Sequence, residues 1–280
     1  MPEGQRSESP LGIPPSRSLT DEEVETYRRD GVVCVRSAFD AGWIDELRAL
    51  VAESMANPSG MVKDINAKGA SGFFFGDTFV CHHIEGFRRA VFEGPGAALA
   101  AQAMEASKIN LLFDQILVKE PNTSTPTLWH HDAPYWPVAG DRVCTLWLAL
   151  DPVTYDSGAV EYVKGSHRWG KRFKAVSFDP NQQYEEDLPP VPDIDGQRED
   201  YDIVSFDLAP GDITLHHGLT LHGAPPNGRA DLSRRAYIQR FAGDGATYNP
   251  RPNLQKMLRD PGLEPDAPLD CDLFPVVWRS

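Results

Sequence analysis

The segment Leu128-Trp-His-His-Asp-Ala-Pro-Tyr-Trp136 places an imidazole, His130, two residues before a carboxylate, Asp132. On a strand, residues i and i+2 share a face, so this pair would point one way and His131 the other. Together they offer a metal two ligands. A third must come from a distant strand that passes alongside. His222, in Thr220-Leu-His-Gly-Ala224, is a candidate, with His217 as its competitor. Two histidines and one carboxylate on one face of a metal leave the opposite face open. That suits Fe(II) that must bind a bidentate cosubstrate and O2. Zn(II) accepts similar ligands, so the three residues alone do not choose the ion. The pairs His82-His83 and His216-His217 read as surface residues or neighbours of the site rather than ligands.

Beyond His222 the run Pro225-Pro-Asn-Gly-Arg-Ala-Asp-Leu-Ser233 is turn-rich, and Arg234-Arg-Ala-Tyr-Ile-Gln-Arg240 reads as a strand returning past the metal. An arginine near its start would pair bidentately with the far carboxylate of a metal-bound dicarboxylate. Arg234 and Arg235 are neighbours, so only one of them can face inward.

The elements that must position these groups follow from the pattern. Thr20-Asp-Glu-Glu23 is a capping box that opens a helix ending near Asp30-Gly31. Val32–Val35 reads as a short buried strand. Asp40 caps a second helix whose apolar face carries Ile44, Leu47, Leu50 and Val51. Residues 57–81 read as irregular, and a third helix is expected from Gly86 to Ala106. The rest is β: Ile109–Lys119, then 129–133, 142–150, 158–164, 202–207, 212–217 and 235–242, with turn residues between most of them. Helices first and at least six strands afterwards predict a mainly β protein, a double-stranded β-helix (jelly roll, cupin-like) with flanking helices. Residues 1–18 predict a flexible tail and 19–280 a single domain, carrying a long acidic insertion at about 168–200 that a lid, a binding loop or disorder would explain.

Composition removes several classes. The 280 residues carry 27 basic and 41 acidic side chains, a net charge of −14, with no run of Lys or Arg. Nucleic acid is therefore not an expected partner. The four cysteines, Cys34, Cys81, Cys144 and Cys271, form no C-x-x-C pair and read as reduced thiols of a cytoplasmic protein. The first residues lack the apolar core of a signal peptide, and no stretch reaches the roughly 18 apolar residues of a membrane helix. Oligomeric state is not legible.

Four segments, in order, resemble the phytanoyl-CoA dioxygenase (PhyH) family of Fe(II)/2-oxoglutarate oxygenases. They are Leu19-Thr-Asp-Glu-Glu23 with Tyr27-Arg-Arg-Asp-Gly-Val-Val33; Trp129-His-His-Asp-Ala-Pro-Tyr-Trp-Pro137; Asp156-Ser-Gly-Ala-Val-Glu-Tyr-Val-Lys-Gly-Ser-His-Arg-Trp-Gly170; and Pro210-Gly-Asp-Ile-Thr-Leu-His-His-Gly-Leu-Thr-Leu-His-Gly223, continuing to Arg234-Arg-Ala236. The resemblance spans about residues 19–243. It implies Fe(II) as the metal, held by His130, Asp132 and His222 rather than His217. It implies 2-oxoglutarate as cosubstrate and O2 as oxidant, with Arg234 as the cosubstrate anchor. The spacing to Arg234 is one residue longer than the family pattern, which keeps Arg235 in reserve. Trp147, on Thr145–Leu150, and Gln115 and Lys119, on Asp114–Lys119, match strands that wall the cosubstrate pocket, although parity does not decide which way the latter two face. The family often has Ser two residues after the distal histidine. Here that residue is Ala224, so the Arg anchor must do more of the binding or another hydroxyl, such as Thr145, helps. His167 falls in a family turn and reads as structural.

The implied reaction is hydroxylation of an unactivated C–H of a small molecule, with release of succinate and CO2. Related halogenases have a small residue where this chain has Asp132, so the carboxylate argues for oxygenation. Tyr135 and Trp136, just after the metal segment, and Phe75, in the Phe73–Phe75 cluster, are the expected substrate contacts. Nothing resembles a CoA-binding basic patch. The rival readings are a catalytically silent jelly-roll binding protein and a Zn-dependent hydrolase. The second lacks H-E-x-x-H and an evident general-base Glu.

Overall fold

The computed structural model describes residues 17–66, 69–176, 187–251 and 254–280. Residues 1–16 of the expected tail and 177–186 of the expected insertion lie outside the described residues. The helices are α1 (Asp21–Asp30), α2 (Ala41–Ala56), α3 (Glu85–Glu93) and α4 (Gly96–Met104). The strands are β1 (Val32–Val35), β2 (Lys63–Asp64), β3 (Phe74–Thr78), β4 (Lys108–Lys119), β5 (Thr127–His130), β6 (Val138–Ala139), β7 (Val143–Ala149), β8 (Glu161–Val163), β9 (Ile203–Ser205), β10 (Ile213–His217), β11 (His222–Ala224), β12 (Arg234–Ala242), β13 (Thr247–Tyr248) and β14 (Val276–Arg279).

Local chemistry sets the helix ends. The Thr20 hydroxyl accepts from Glu23 N–H while the Glu23 carboxylate accepts from Thr20 N–H, which closes the capping box. Gly31 ends α1 in the left-handed region at φ 76°, where a Cβ is penalised. Asp40 accepts from Trp43 N–H and starts α2. The single helix expected over 86–106 is two. Pro95 has no N–H to give and disfavours helical backbone at Gly94, so the chain breaks there and restarts as α4.

Among the described residues the strands form two main antiparallel sheets, with β6 and β13 paired in a separate two-stranded one. The larger has the order β1-β10-β7-β12-β4-β3-β2, with β14 also pairing β4; the smaller has the order β5-β11-β8-β9. Alternation along the central strands divides the interior. On β7, Cys144, Leu146 and Leu148 join Tyr237, Ile116 and the apolar faces of the helices in one core. Trp147 and Ala149 turn the other way, and with Ala236, Ile238 and Leu208 they fill the space between the sheets. This is the expected jelly roll flanked by helices on one face. The described ends of the insertion pack onto it: Phe173 and Ile194 are buried against Val163 and Leu221.

Two β expectations change. β3 lies in a region expected to be irregular, and β14 lies beyond the last expected strand. Both pair with β4, and it is that partner, rather than their own composition, that makes them strands. The strand expected over 129–133 ends at His130, and Asp132 has helical backbone (φ −75°, ψ −40°). Pro134 sits in the first turn of a 3-10 segment, Ala133–Tyr135, where its fixed φ favours the change of direction.

Candidate metal centre

β5 and β11 are neighbours in the smaller sheet, and their register sets His130 directly opposite His222. The two imidazole centroids are 4.2 Å apart. Asp132 joins them from the turn after β5, and one ligand atom from each of the three side chains lies within 4.8 Å of the others. His130 and Asp132 therefore converge through a turn, not through the strand parity that the spacing suggested. His131 points elsewhere, its Nε2 accepting from Phe173 N–H at 3.0 Å. His217 also points away, with Nε2 on the Asp141 carbonyl at 2.7 Å.

Hydrogen bonds prepare the triad for a cation. Nδ1 of His130 lies 2.7 Å from the Leu128 carbonyl, and Nδ1 of His222 lies 2.9 Å from the Thr220 carbonyl. A carbonyl only accepts, so each Nδ1 carries the proton and each Nε2 presents a lone pair. Burial pushes both histidine pKa values down, further for His222, where His130 and His216 add to the effect. Burial alone would raise Asp132, but the hydrogen bond from His216 and the charge of Arg240 outweigh it and hold the carboxyl well below the usual range. Thr145 Oγ1 donates to Asp132 Oδ2 at 2.6 Å, and His216 Nε2 lies 3.3 Å from the same oxygen. Two neutral imidazoles and one ionised carboxylate fit a divalent ion with one face left open.

The triad opens into a cavity between the sheets of about 470 Å³ including its mouth. Thr145, Trp147, His216, Ala224, Arg234 and Arg240 line it with Leu117, Val160 and Ile238. Arg234 is 1% exposed, its Nε has no hydrogen-bond partner, and its guanidinium lies 5.4 Å from the Trp147 ring centre. Burial lowers its pKa to about 10, so it stays charged at neutral pH. Arg235 faces outward and holds Asp151 through Nε at 2.8 Å and Nη2 at 2.6 Å. An inward, buried guanidinium in the same cavity as the triad fits a dicarboxylate chelated at the metal.

The other residues named from sequence divide. Trp147 and Thr145 line the cavity. Gln115 and Lys119 share the strand face of Leu117, but Gln115 accepts from Arg240 Nη2 at 2.8 Å and Lys119 Nζ donates to the Pro225 carbonyl at 2.8 Å. Tyr135 stands edge-on to His130 at 6.0 Å, with its hydroxyl tied to the backbone of Val176. Trp136 and Phe75 are not brought to the cavity. Trp136 packs against Phe113 in a separate core, and Phe75 lies in the helix-side core, where apolar burial accounts for both. Sequence reasoning missed Arg240; it left His216 as either a surface residue or a neighbour of the site, and the structure makes it a neighbour. Even spacing from Arg234 was the available signal for Arg240. For His216, only the register of β10 against β7, which pairs it with Thr145, identifies its place.

Residues 27–236 match the model of the phytanoyl-CoA dioxygenase (PhyH) family. A probable alpha-ketoglutarate-dependent hypophosphite dioxygenase of Stutzerimonas stutzeri is 27% identical over 131 residues, covering 44% of this chain and 42% of that protein. A phytanoyl-CoA dioxygenase domain-containing protein 1 of Danio rerio is 26% identical over 160 residues, covering 56% and 53%. The chain thus spans about half the length of these curated relatives. Among solved structures, the non-heme alpha ketoglutarate dependent epimerase SnoN from nogalamycin biosynthesis superposes with a TM-score of 0.73 at 27% identity, over 92% of this chain and 98% of that one. The same epimerase is known in complex with Fe3+, alpha ketoglutarate and nogalamycin RO.

Proposed function

The chain belongs to the phytanoyl-CoA dioxygenase family of Fe(II)- and 2-oxoglutarate-dependent oxygenases, and from that premise we propose that it hydroxylates an unactivated C–H of a small-molecule substrate, releasing succinate and CO2. The observation that carries this reading is the burial of Arg234 in the same cavity as His130, Asp132 and His222. Residues 19–280 would act as one domain, a reading supported by the pairing of the C-terminal β14 with the central β4.

His130 and His222 would give Nε2, and Asp132 a carboxylate oxygen, to Fe(II). Arg234 would hold the far carboxylate of 2-oxoglutarate. Trp147 walls that end of the cavity and supports the guanidinium through its ring. Ala224 offers no hydroxyl, and the Thr145 hydroxyl is spent on Asp132, so Arg234 supplies the charge for this end of the cosubstrate. The iron and cosubstrate, when bound, supply the oxidising chemistry. The chain's own work is to fix three ligands on one face, keep Asp132 ionised and exclude bulk water with Leu117, Val160 and Ile238.

Anaerobic addition of Fe(II) and 2-oxoglutarate should give a weak visible charge-transfer band that His222→Ala abolishes and His217→Ala leaves intact. A protein with no band, and with metal binding indifferent to His222→Ala, would not be this enzyme. A silent binding protein gives no succinate with any substrate, and a Zn hydrolase gives turnover without O2. Product analysis after succinate release, across a panel of small molecules, distinguishes hydroxylation from the epimerase outcome of the SnoN relative.

A further inference from the structure

Arg240 is a second guanidinium on the cavity wall, and beyond its charge acting on Asp132 the cofactor reading leaves its free donors without a task. It follows Arg234 on β12 by an even number of residues (240 − 234 = 6), so both face inward. At about 3.3 Å per residue their backbones stand roughly 20 Å apart, which assigns them to opposite ends of the cavity. Arg234 pairs across the sheet with Lys119, whereas Arg240 pairs with Thr145, the residue that holds Asp132.

The Arg240 side chain is built in rather than loose. It is 9% exposed, lies 4.6 Å from the Phe113 ring centre and donates from Nη2 to Gln115 Oε1 at 2.8 Å. Its Nε and Nη1 are buried and have no hydrogen-bond partner. Among the described residues no carboxylate forms an ion pair with it. The Asp132 Oδ2 oxygen is already taken by Thr145 and His216.

Charge decides what such a group is for. With a divalent ion and a dicarboxylate in place, the ion, Arg234 and Arg240 bring four positive charges, and Asp132 and the cosubstrate bring three negative ones. Within the cavity lining one positive charge is left over, on a desolvated guanidinium whose unused donors Asp132 and Asp114 act on only through space. Leaving it uncompensated is costly in a cavity of low polarity.

We propose that Arg240, held by Gln115 and Phe113, anchors a singly charged oxyanion of the primary substrate, a carboxylate in the simplest case. This rests on the oxygenase reading for the word substrate, but anion binding at Arg240 does not require turnover. The anchored group would lie near Asp132, so the C–H presented to the metal belongs to an atom a short distance from the anion.

Benzoate and its neutral isostere benzamide test the charge directly. Each is titrated by calorimetry into protein loaded anaerobically with Fe(II) and 2-oxoglutarate, which occupies Arg234. Wild type should bind benzoate roughly tenfold or more tighter than benzamide, and Arg240→Gln should bring benzoate down to the benzamide level with the charge-transfer band intact. Arg240→Lys keeps the charge and should keep the preference at reduced affinity, which preserves the test if the Gln variant does not fold. Equal binding of the two probes by wild type or by Arg240→Lys, or unchanged benzoate binding by Arg240→Gln, overturns the proposal. A missing band in wild type counts against the oxygenase reading instead, and the benzoate titration repeated in Arg234→Gln still judges Arg240.

Discussion

Asp132 reaches the metal position because two side chains from the opposite sheet hold one of its oxygens. Thr145→Val removes the shorter of those bonds and leaves the volume nearly unchanged. Loss of such a supporting contact typically weakens a metal by about 10–100-fold, and calorimetric titration with Co(II) should read a loss in that range. The two arginines at the start of β12 give a sharper contrast. Arg234→Gln removes a buried charge from the cosubstrate and should raise the 2-oxoglutarate KM by about a hundredfold. Arg235→Gln breaks only the outward pair with Asp151 and should leave that KM unchanged. Equal effects from the two variants would mean that the side chains face opposite to this assignment.

The elements matter through their ends. Gly31, which closes α1, accepts at its carbonyl from both the Thr220 hydroxyl and the His217 N–H. The Thr220 carbonyl in turn holds Nδ1 of His222. The end of the first helix is thereby tied to a metal ligand. A Cβ on Gly31 would run into His167 and Thr220, and the backbone there is left-handed. Gly31→Ala should cost about 1–3 kcal/mol in thermal unfolding and weaken Co(II) binding as well. Thr20→Ala, at the other end of the same helix, should cost about 1 kcal/mol and leave Co(II) affinity unaltered. A Gly31→Ala protein with wild-type Co(II) affinity would break the proposed connection between α1 and the site.

At the scale of the whole molecule, a buried carboxyl that the metal site does not use, Asp114, sits under the helix-side face. Asp114 accepts from Cys81 N–H and from the Tyr237 hydroxyl, yet burial still raises its pKa to about 6. In the unfolded chain it titrates near 3.8. Between those values the folded form holds a proton that the unfolded form has lost, so stability falls as pH rises from about 4 to about 6. The full difference is on the order of 3 kcal/mol. Asp114→Asn cannot ionise, so its stability relative to wild type should rise across that window and then level off. Parallel denaturant-unfolding curves at pH 4 and pH 6.5 would contradict this.

Much of the site was legible because its signals are local. The His130-x-Asp132 spacing, the late His222, the turn before Arg234 and the capping box at Thr20 are each written within a few residues of chain. Helices first, then β segments with turn residues between most of them, were enough to expect a jelly roll. What sequence could not supply depends on which strand lies beside which. His216 and Thr145 meet Asp132 only because β10 and β7 pair in one register and face β5 across the cavity. Arg240 acquires meaning from Gln115 and Phe113 on β4, far away in the chain. Even His130 and Asp132 converge by a turn at Pro134 instead of by strand parity. The residue types alone determined which chemistry was available. Sheet pairing and burial, which desolvate charges and choose their partners, decided which of those residues hold the metal ligands in place and which guanidinium is left to meet a substrate.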